Sequence, residues 1–556
     1  MNEYHTRFTR TTSQSHGSRL ALVVTVVAVL ALGGCGGGSS PSSPTTTQSV
    51  VRALPASTKD VDTITWDLPH GEPGSIDILN GYDYSPDLVI ANLCDSLDRL
   101  NPDFTVAPGL AVSRSQPDPL TLIYKIRSGV NFWDGKPLTN VDVAWSLGRN
   151  LSPDAPSHFL YASVKSIKAT ANNTVTIRFS KPDELFAKEM FSSVGAVMEK
   201  AFSIKQGKSL GTAKGSIMCS GPFKLANWTP GSSMTLVRNE AYWDPQWKAR
   251  SRMIKLKFIT VSSPLTQGLK SGELDGAYEI PPTSITSLQS ISTGKLYYGP
   301  SHQYLALSVV RPDGPLASTK LRDAVLKAID RPALASSVFH GAARANYTAL
   351  ASTSWDPSAL PAYEAAYKQF ETANSYDTTA AKQLVKESGY SGHTLSLVTL
   401  SGDDTQSAVG QFIQQQAASI GVKVKINALQ PLEYSNLAFT AATRKSNDLL
   451  LSSNYNQSAD PLEQLSFNYL PGSPFNYTNY SNPVVTTTLK KGTTITENAR
   501  RAQAVIAAQA VYEKDYKSSA LVTTDEVSFV NKRLTGAITS FAYMFTPSLA
   551  KLGAAG

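Results

Sequence analysis

The chain contains 556 residues, of which 41% are hydrophobic and 17% are charged. A chain of this composition can bury a sizeable core, which excludes global disorder, and its length predicts more than one folding unit. Its three cysteines are too few for a disulfide-dense scaffold or a multi-cysteine zinc module. The formal net charge of +8 suits either a nucleic-acid binder or a protein that works near an anionic surface.

The first residues have the pattern of an export signal. Arg7, Arg10 and Arg19 precede an apolar run at 20–32, which is shorter than the roughly 20 residues that a membrane-spanning helix needs. A basic segment followed by an apolar run of this length is typical of a secretory signal peptide, which we assign to 1–34. The alternative is an uncleaved membrane anchor, and both interpretations place the rest of the chain outside the cytoplasm.

The residues that follow the apolar run resemble a bacterial lipobox, with a leucine, two glycines and a cysteine at 32–35. The resemblance implies that the chain is cut before Cys35 and that a diacylglycerol on its thiol anchors the protein to the cell membrane. Glycine, serine, proline and threonine dominate 36–47, so we assign 35–61 to the lipidated cysteine and a flexible tether. This location argues against nucleic acid as a partner.

Cys94 and Cys219 are the thiols that remain after this processing. Outside the cytoplasm two such cysteines can form a disulfide, and closing so long a loop would stabilise the fold by roughly 4–5 kcal/mol in the chain-entropy account. The alternative is a pair of buried free thiols, and the sequence leaves both open.

Local patterns in the first half of the chain predict one helix and one hairpin. Thr139 and Asp142 form a capping-box pattern, which predicts a helix that runs through Leu147. Two runs at 164–167 and 175–179 alternate apolar and polar residues on either side of a pair of asparagines. This arrangement predicts a β-hairpin.

Patterns in the second half predict several further helices and a strand. Leu321, Val325 and Ile329 mark one face of a helix that begins after Ser318 and Thr319. Further helices are predicted at 378–388, before Gly389, at 408–420, before Gly421, and at 498–515. The run 422–426 alternates as a half-buried strand directly after one of these helices. A helix-to-strand step of this kind indicates an α/β fold in more than one lobe.

A search for catalytic motifs finds no supported match. The sequence contains no phosphate-binding loop, no G-x-S-x-G elbow and no paired zinc-ligand spacing. The run 292–295 matches S-x-x-K, but neither a K-T-G nor an S-D-N element accompanies it. We therefore predict that the protein is not an enzyme and uses no cofactor; a secreted envelope hydrolase is the alternative from another class.

A further set of motifs is spread along the body of the chain. They are ANLCDSL at 91–97, FWDGKPLT at 132–139, SGPFKL at 220–225, RNEAYW at 238–243, SGELD at 271–275, LRDAVLKAIDR at 321–331 and YDTTAAK at 376–382. In this order, after a lipobox, they resemble the family 5 extracellular solute-binding proteins of ABC importers, the peptide- and nickel-binding group. We interpret most of these motifs as holding the fold rather than contacting a ligand.

The resemblance implies an α/β clamp of two lobes with an extra accessory domain, in which a ligand is enclosed between the lobes. Lobe I would combine 62–98, 217–306 and 521–556. The accessory domain would take 99–216, and lobe II would take 307–520. Such a protein would work as a monomer beside a membrane permease.

The resemblance also indicates where a ligand would be held. In the segment 454–461, which is similar to the family's cleft-facing loop, Gln457 stands where an aspartate usually pairs with a peptide's ammonium group. A neutral amide cannot make that charge-assisted bond, so either Asp460 or another acid replaces it, or the ligand lacks a free α-amine there. The predicted ligand contacts are Tyr82, Tyr84, Tyr278, Tyr304, Asn454, Tyr455, Gln457 and Asp460. Core packing is the alternative for the tyrosines.

These inferences combine into one functional hypothesis. The protein would be a lipid-anchored, extracytoplasmic solute-binding protein that captures oligopeptides, or a similar small polar solute, and delivers them to an ABC permease. A clamp-type sensor is an alternative to import. A nickel chelate or another non-peptide nutrient is an alternative ligand, because family membership does not fix the cargo.

Overall fold

A computed structural model describes residues 49–80, 83–153, 155–444, 446–458, 460–473 and 475–556. These residues belong to one compact unit, Thr46–Gly556. The predicted signal peptide, Cys35 and Tyr82 lie outside the described residues. Within the described ranges, no helix is both long enough and apolar enough to cross a membrane.

The described chain alternates short strands and helices. The strands are β1 (Val61–Asp67), β2 (Asp98–Leu100), β3 (Val106–Pro108), β4 (Ala111–Asp118), β5 (Thr121–Ile126), β6 (Val164–Thr170), β7 (Thr174–Phe179), β8 (Phe223–Thr229), β9 (Ser233–Arg238), β10 (Ser251–Lys257), β11 (Gly276–Ala277), β12 (Gly294–Gly299), β13 (Gln303–Val309), β14 (Ala343–Ala345), β15 (Leu395–Leu400), β16 (Val424–Leu429), β17 (Leu449–Tyr455), β18 (Ser518–Thr524), β19 (Glu526–Asn531), β20 (Leu534–Thr535) and β21 (Gly553–Ala554). The α-helices are α1 (Tyr84–Leu93), α2 (Asn140–Gly148), α3 (Lys200–Gln206), α4 (Ser262–Ser271), α5 (Pro282–Leu288), α6 (Thr319–Lys327), α7 (Arg331–Ser337), α8 (Leu360–Ala373), α9 (Thr378–Glu387), α10 (Asp404–Ser419), α11 (Pro431–Phe439), α12 (Pro461–Tyr469), α13 (Pro483–Gly492) and α14 (Asn498–Tyr512).

Two large mixed sheets organise the molecule. The first has seven strands in the order β12-β19-β11-β1-β10-β9-β8, with β1 parallel to both β10 and β11. The second has six strands in the order β14-β18-β13-β17-β15-β16, with β15 parallel to β16 and β17. Each sheet packs its own cluster of buried apolar side chains, centred on residues such as Trp66 in the first and Leu397 in the second. The predicted α/β class is therefore what the chain adopts.

Two short connections carry the chain between the large sheets. One joins β12 to β13 at 299–303, and the other joins β18 to β19 at 524–526. The predicted lobe boundaries fall inside strands, because 303–306 and 521–524 pair within the six-stranded sheet rather than the seven-stranded one. Strand pairing between residues far apart in the sequence sets these boundaries, and a local pattern does not contain that information.

A smaller sheet of four strands, β4-β5-β7-β6, lies in the sequence between β1 and β8 of the seven-stranded sheet. Its β6–β7 pair is the predicted hairpin, and the asparagines at its turn, Asn172 and Asn173, have φ of 58° and 55°. Asparagine tolerates this left-handed conformation, which suits the tight turn. The capping box is also confirmed, because the hydroxyl of Thr139 accepts from the backbone of Asp142, whose carboxylate accepts in return.

The predicted helices of the second half are found close to their expected bounds. They correspond to α6, α9, α10 and α14, and α14 continues as a short 3-10 turn to Asp515. Gly389 and Gly421 follow their helices with φ of 72° and 83°, the left-handed conformation expected for a helix end. The strand predicted at 422–426 begins two residues later, as β16.

Three of the dispersed motifs meet at one buried carboxylate, that of Asp95. It accepts hydrogen bonds from Ser220 Oγ (2.8 Å), Tyr242 Oη (2.7 Å) and Trp243 Nε1 (2.9 Å), and it pairs with Arg99 at 3.2 Å. Beside this cluster, Cys94 and Cys219 form a disulfide. These motifs therefore join distant parts of the first lobe, as their interpretation as fold-holding segments predicts.

One buried acid makes stability depend on pH. Burial raises the pKa of Glu513 to about 7, although Ala349 N donates to its carboxyl at 2.8 Å. The unfolded carboxyl ionises near pH 4.5, so between these values the folded state binds more protons and loses stability as pH rises. We expect Glu513→Gln to remove about 3 kcal/mol of this loss, measured by urea unfolding at pH 4.5 and pH 8.

The control for this experiment is Glu497→Gln, which alters an exposed acid at the start of α14. Its unfolding free energies at the two pH values should parallel those of the unaltered protein. An unchanged pH difference in Glu513→Gln would show that the carboxyl at 513 does not carry the expected proton.

Candidate ligand-binding cavity

A cavity of about 840 Å³ lies where strands of both large sheets end. On the first sheet it is lined by residues at or after the carboxyl ends of β1, β10 and β11, which run parallel. On the second it is lined by residues of β13 and β17 and by 400–406, after β15. Ligands of α/β proteins bind at the carboxyl ends of strands, and this volume is within the usual range of about 300–1,000 Å³.

Contacts across the cavity bring the two sides together. Ser262 Oγ, at the start of α4, donates to Asp404 Oδ2 at the start of α10, at 2.6 Å. Tyr84, at the start of α1, meets Tyr455 of β17 edge-to-face, with ring centroids 5.1 Å apart. The described conformation therefore encloses the cavity between the two sheets.

An aromatic wall forms part of this enclosure. The ring of His70 stacks on Tyr84 at 4.0 Å, and Tyr455 packs against Phe541 at 5.4 Å. His70 has φ of 61°, so its backbone is held in a conformation that few residues other than glycine adopt. Such conformations concentrate at binding sites.

Acidic side chains dominate the charged residues of the lining. They are Asp67, Asp83, Glu279, Asp403, Asp404, Glu463 and Asp525. Burial raises the pKa of Asp67 well above its usual value, and burial also raises the pKa of Asp403 at the start of α10. Among the lining residues in the described ranges, His70 is the basic side chain, and there is no lysine or arginine.

Glu279 makes hydrogen bonds through both its side chain and its backbone. Its Oε1 accepts from Gln303 Nε2 at 2.6 Å and from Tyr543 Oη at 2.9 Å, and its backbone has φ of 54°. Its N–H donates to the buried Glu526, whose pKa is raised well above its usual value by burial and by the negative charge of Glu279. This shift favours the protonated form of Glu526 beneath the cavity.

The loop after β17 presents an unsatisfied amide. The Gln457 side chain is only 2% exposed, and neither its Nε2 nor its Oε1 has a hydrogen-bond partner among the described residues. Glu463 fixes the loop by accepting from the backbone N–H groups of Gln457 (3.0 Å) and Ser458 (2.9 Å). A buried amide left in this way is costly unless a ligand or water pairs with it.

The structure brings most of the predicted contact residues to this cavity. Those in the lining are Tyr84, Tyr278, Tyr304, Asn454, Tyr455 and Gln457. Tyr278 is also tightly packed, since its ring stacks on Tyr543 at 3.9 Å. Tyr304 accepts from Asn468 Nδ2 at 3.0 Å.

Asp460, another predicted contact, is not among the residues that line the cavity. Its carboxylate instead caps α12 through the N–H of Leu462 (2.9 Å) and pairs with Lys188 and with Arg501 (3.5 Å). A helix start and two cations occupy its oxygens, so it does not substitute for the acid missing at Gln457.

Sequence reasoning missed His70, Glu279, Asp403 and Asp404 as cavity residues. A partial signal existed for the last two, because Gly402-Asp403-Asp404 directly follows an apolar stretch that forms β15. Polar residues immediately after a strand are candidates for a site at its carboxyl end. His70 and Glu279 carry no comparable local signal.

The model of the family "Bacterial extracellular solute-binding proteins, family 5" (Middle) matches residues 105–476. The chain belongs to this family. Among curated relatives, the glutathione-binding protein GsiB of Escherichia coli K12 is 26% identical over 434 residues, which cover 75% of this chain and 80% of GsiB. The resemblance inferred from the dispersed motifs is thereby confirmed.

Solved structures share the two-lobed fold of this family member. AgaA of A. tumefaciens R10, in complex with agropinic acid, has a TM-score of 0.75 and 21% identity, and the match covers 89% of this chain and 98% of AgaA. DppA of Helicobacter pylori, in complex with the peptide STSA, has a TM-score of 0.75 and 20% identity, with 90% and 99% covered. NikA of Staphylococcus aureus, in complex with Ni(L-His)2, has a TM-score of 0.74 and 17% identity, with 87% and 98% covered.

Proposed function

We propose that this protein is a lipid-anchored extracytoplasmic binding protein that captures oligopeptides or a similar small polar solute and delivers them to an ABC permease. The observation that carries the proposal is the cavity of about 840 Å³, lined from both large sheets and crossed by contacts between them. A ligand that touches both sides would favour the closed arrangement over an open one.

The two lobes and the accessory domain belong to the same proposal. Sheet membership supports them: the seven-stranded sheet draws its strands from segments assigned to lobe I, and the four-stranded sheet lies within 99–216. The connections at 299–303 and 524–526 are the places where the lobes would pivot, since the chain passes between the large sheets there. We therefore move the two lobe boundaries from 306 and 520 to these connections.

Capture without catalysis is favoured over the hydrolase alternative. Family members are binding proteins, and the cavity carboxyl groups that have a buried acidic neighbour are already engaged by the protein itself. Glu463, which faces Glu189, holds the loop of Gln457, and Glu279, which lies beside Glu526, accepts from Gln303 and Tyr543. Delivery to a permease is favoured over sensing because the family model is that of solute-binding proteins.

Ligand capture is testable on the protein purified under mild conditions. Native mass spectrometry should show a protein–ligand complex, and denaturing analysis should release a series of peptide masses. A ligand at a hundred times its Kd stabilises the folded state by about 2.7 kcal/mol, so adding back the released material should raise the Tm. A single non-peptide mass would contradict peptide cargo while leaving solute capture intact.

A substitution in the aromatic wall tests whether this ligand binds in the cavity. We expect Tyr455→Ala to raise the Kd for the released material at least tenfold, because the tyrosine lines the cavity and meets Tyr84 across it. Tyr376→Ala, which alters an exposed tyrosine outside the lining, should leave the Kd unchanged. Calorimetric titration of both variants distinguishes the outcomes, and equal affinities would exclude the cavity as the site.

A further inference from the structure

We propose that the solute carries a net positive charge and that its ammonium or guanidinium group is held at an acidic end of the cavity. This acidic end is formed by Asp83, Glu279, Asp403 and Asp404 around the rings of His70 and Tyr84. The inference rests on the proposed function, since it names the class of solute that the same cavity accepts.

The charge of the cavity is opposite to that of the protein. The whole chain has a formal net charge of +8, yet the described lining contains seven acids against one histidine, with no lysine or arginine. A surface that merely followed the average composition would expose basic groups to the cavity as well. The cavity therefore selects for cations against the background of the molecule.

Three of the lining acids are occupied by the protein itself. Asp67 accepts from Ile259 N at 3.0 Å, Glu463 holds the loop of Gln457, and Asp525 pairs with Arg344. These three contribute little to recognition of a cation. The argument depends on the four acids of the acidic end.

The four acids of the acidic end retain capacity to accept. Asp83 caps α1, Asp403 caps α10 and Asp404 accepts from Ser262, each through one contact. Glu279 accepts two hydrogen bonds through Oε1. All four acids are exposed or half-buried. A carboxylate offers about four acceptor sites. Each of these acids therefore has sites left for the N–H groups of an ammonium or guanidinium ion.

The aromatic rings beside the acidic end favour the same ligand. The Tyr84 hydroxyl lies beside these acids, because its pKa is raised well above its usual value by burial and then by the negative charges of Glu279 and Asp83. A cation is attracted both to such carboxylates and to the faces of neighbouring rings. An anion at this place would lose its hydration without gaining a countercharge.

The unpartnered amide of Gln457 independently indicates a ligand in this cavity. It is buried, it lines the cavity, and both its donor and its acceptor lack partners among the described residues. An amide offers one acceptor and two donor hydrogens, which match a peptide group or another neutral polar group. The solute would thus present a neutral polar group to Gln457 and its cationic group to the acidic end.

This inference separates the protein from the glutathione-binding relatives. Glutathione bears two carboxylates and one ammonium group, so it is a net anion at neutral pH. We therefore expect glutathione to bind poorly here, although GsiB is 26% identical over 434 residues.

The test uses libraries of N-terminally acetylated and C-terminally amidated di- to pentapeptides made of alanine, tyrosine and one variable residue, which is lysine, glutamine or glutamate and is the only residue able to carry a charge. Titration calorimetry at pH 7 and native mass spectrometry are applied to the full mature chain. We expect the lysine library to bind at least tenfold more tightly than the glutamine library, with no binding of the glutamate library or of glutathione. Raising the salt concentration should weaken the lysine library most.

Substitutions test whether the acidic end causes the preference for the lysine library. Glu279→Gln combined with Asp404→Asn should weaken the lysine library at least tenfold and the glutamine library far less, because each amide keeps an acceptor oxygen but loses the charge. Asp118→Asn, which alters an exposed acid at the end of β4, should change neither affinity. Gln457→Leu should weaken both libraries, because it removes the amide and no charge. A Tm within 2 °C of that of the unaltered protein shows that each variant is folded.

Each outcome decides either this inference or the proposed function. Equal or tighter binding of the glutamine or glutamate library, or of glutathione, overturns the cationic solute and leaves solute capture intact. A co-purified ligand without positive charge overturns it in the same way. If no library binds and the protein carries no small molecule after mild purification, the proposed function fails, and the charge inference fails with it.

Discussion

Asp95→Ala is expected to destabilise the protein by about 3–5 kcal/mol, because it breaks a buried ion pair on one side only. Asp95 is 4% exposed and accepts from Ser220, Tyr242 and Trp243 while it pairs with Arg99. Removing the carboxylate leaves three donors without their acceptor and leaves the guanidinium of Arg99 with Asp244 and the Tyr242 hydroxyl as its hydrogen-bond partners. Each of these losses is costly in a buried environment.

Denaturant unfolding followed by tryptophan fluorescence measures this effect, since Trp243 lies in the cluster. The free energy of unfolding of Asp95→Asn should lie between those of the alanine variant and the unaltered protein, because an amide oxygen still accepts hydrogen bonds but carries no charge. Asp62→Ala is the control: its side chain is 88% exposed and pairs loosely with Arg252 at 3.4 Å, so a change within about 0.5 kcal/mol is expected. A loss below 1 kcal/mol for Asp95→Ala would show that the cluster does not hold the lobe together.

Removing the disulfide between Cys94 and Cys219 is expected to cost about 5 kcal/mol in the chain-entropy account. The two cysteines are 125 positions apart, so the bond restricts a long loop in the unfolded chain. The loop encloses the four-stranded sheet, so the bond joins the two chain segments that flank this sheet in the sequence. Both cysteines are buried, so the double replacement by alanine avoids a buried hydroxyl.

The double variant Cys94→Ala, Cys219→Ala is compared with the unaltered protein by denaturant unfolding, with and without reductant. Reductant should bring the unaltered protein to the stability of the double variant and leave the double variant itself unchanged. If the free energy of unfolding of the double variant equals that of the oxidised protein, the disulfide contributes nothing to stability and the chain-entropy account does not apply here. The two predictions are separable, because Asp95→Ala keeps the disulfide.

The sequence by itself determined the elements whose causes are local. The capping box at Thr139, the asparagine turn of the β6–β7 hairpin and the glycine after α10 each depend on a few adjacent residues. Short-range hydrogen bonds and backbone preferences decide such features. The dispersed motifs also indicated the family, because the order of motifs along the chain can be read from the sequence without knowledge of the fold.

The tertiary structure alone decided which residues share the cavity. Glu279, Asp403 and His70 are far apart in the sequence and come together only because β1, β11 and β15 end at one place. It also separated Gln457 from Asp460: the first lines the cavity and has a buried amide without a partner among the described residues, and the second is engaged by a helix cap and two cations.

One physical reason separates the features that the sequence shows from those that only the tertiary structure decides. A turn or a cap is stabilised by neighbours within about four residues, so the pattern that encodes it is visible in a short stretch of sequence. A binding cavity is stabilised by strand pairings and packing between segments hundreds of residues apart, and no short stretch records which partner each segment meets. The acidic end of this cavity is such a feature, because its carboxylates come from three separate segments of the chain that only the two sheets bring together.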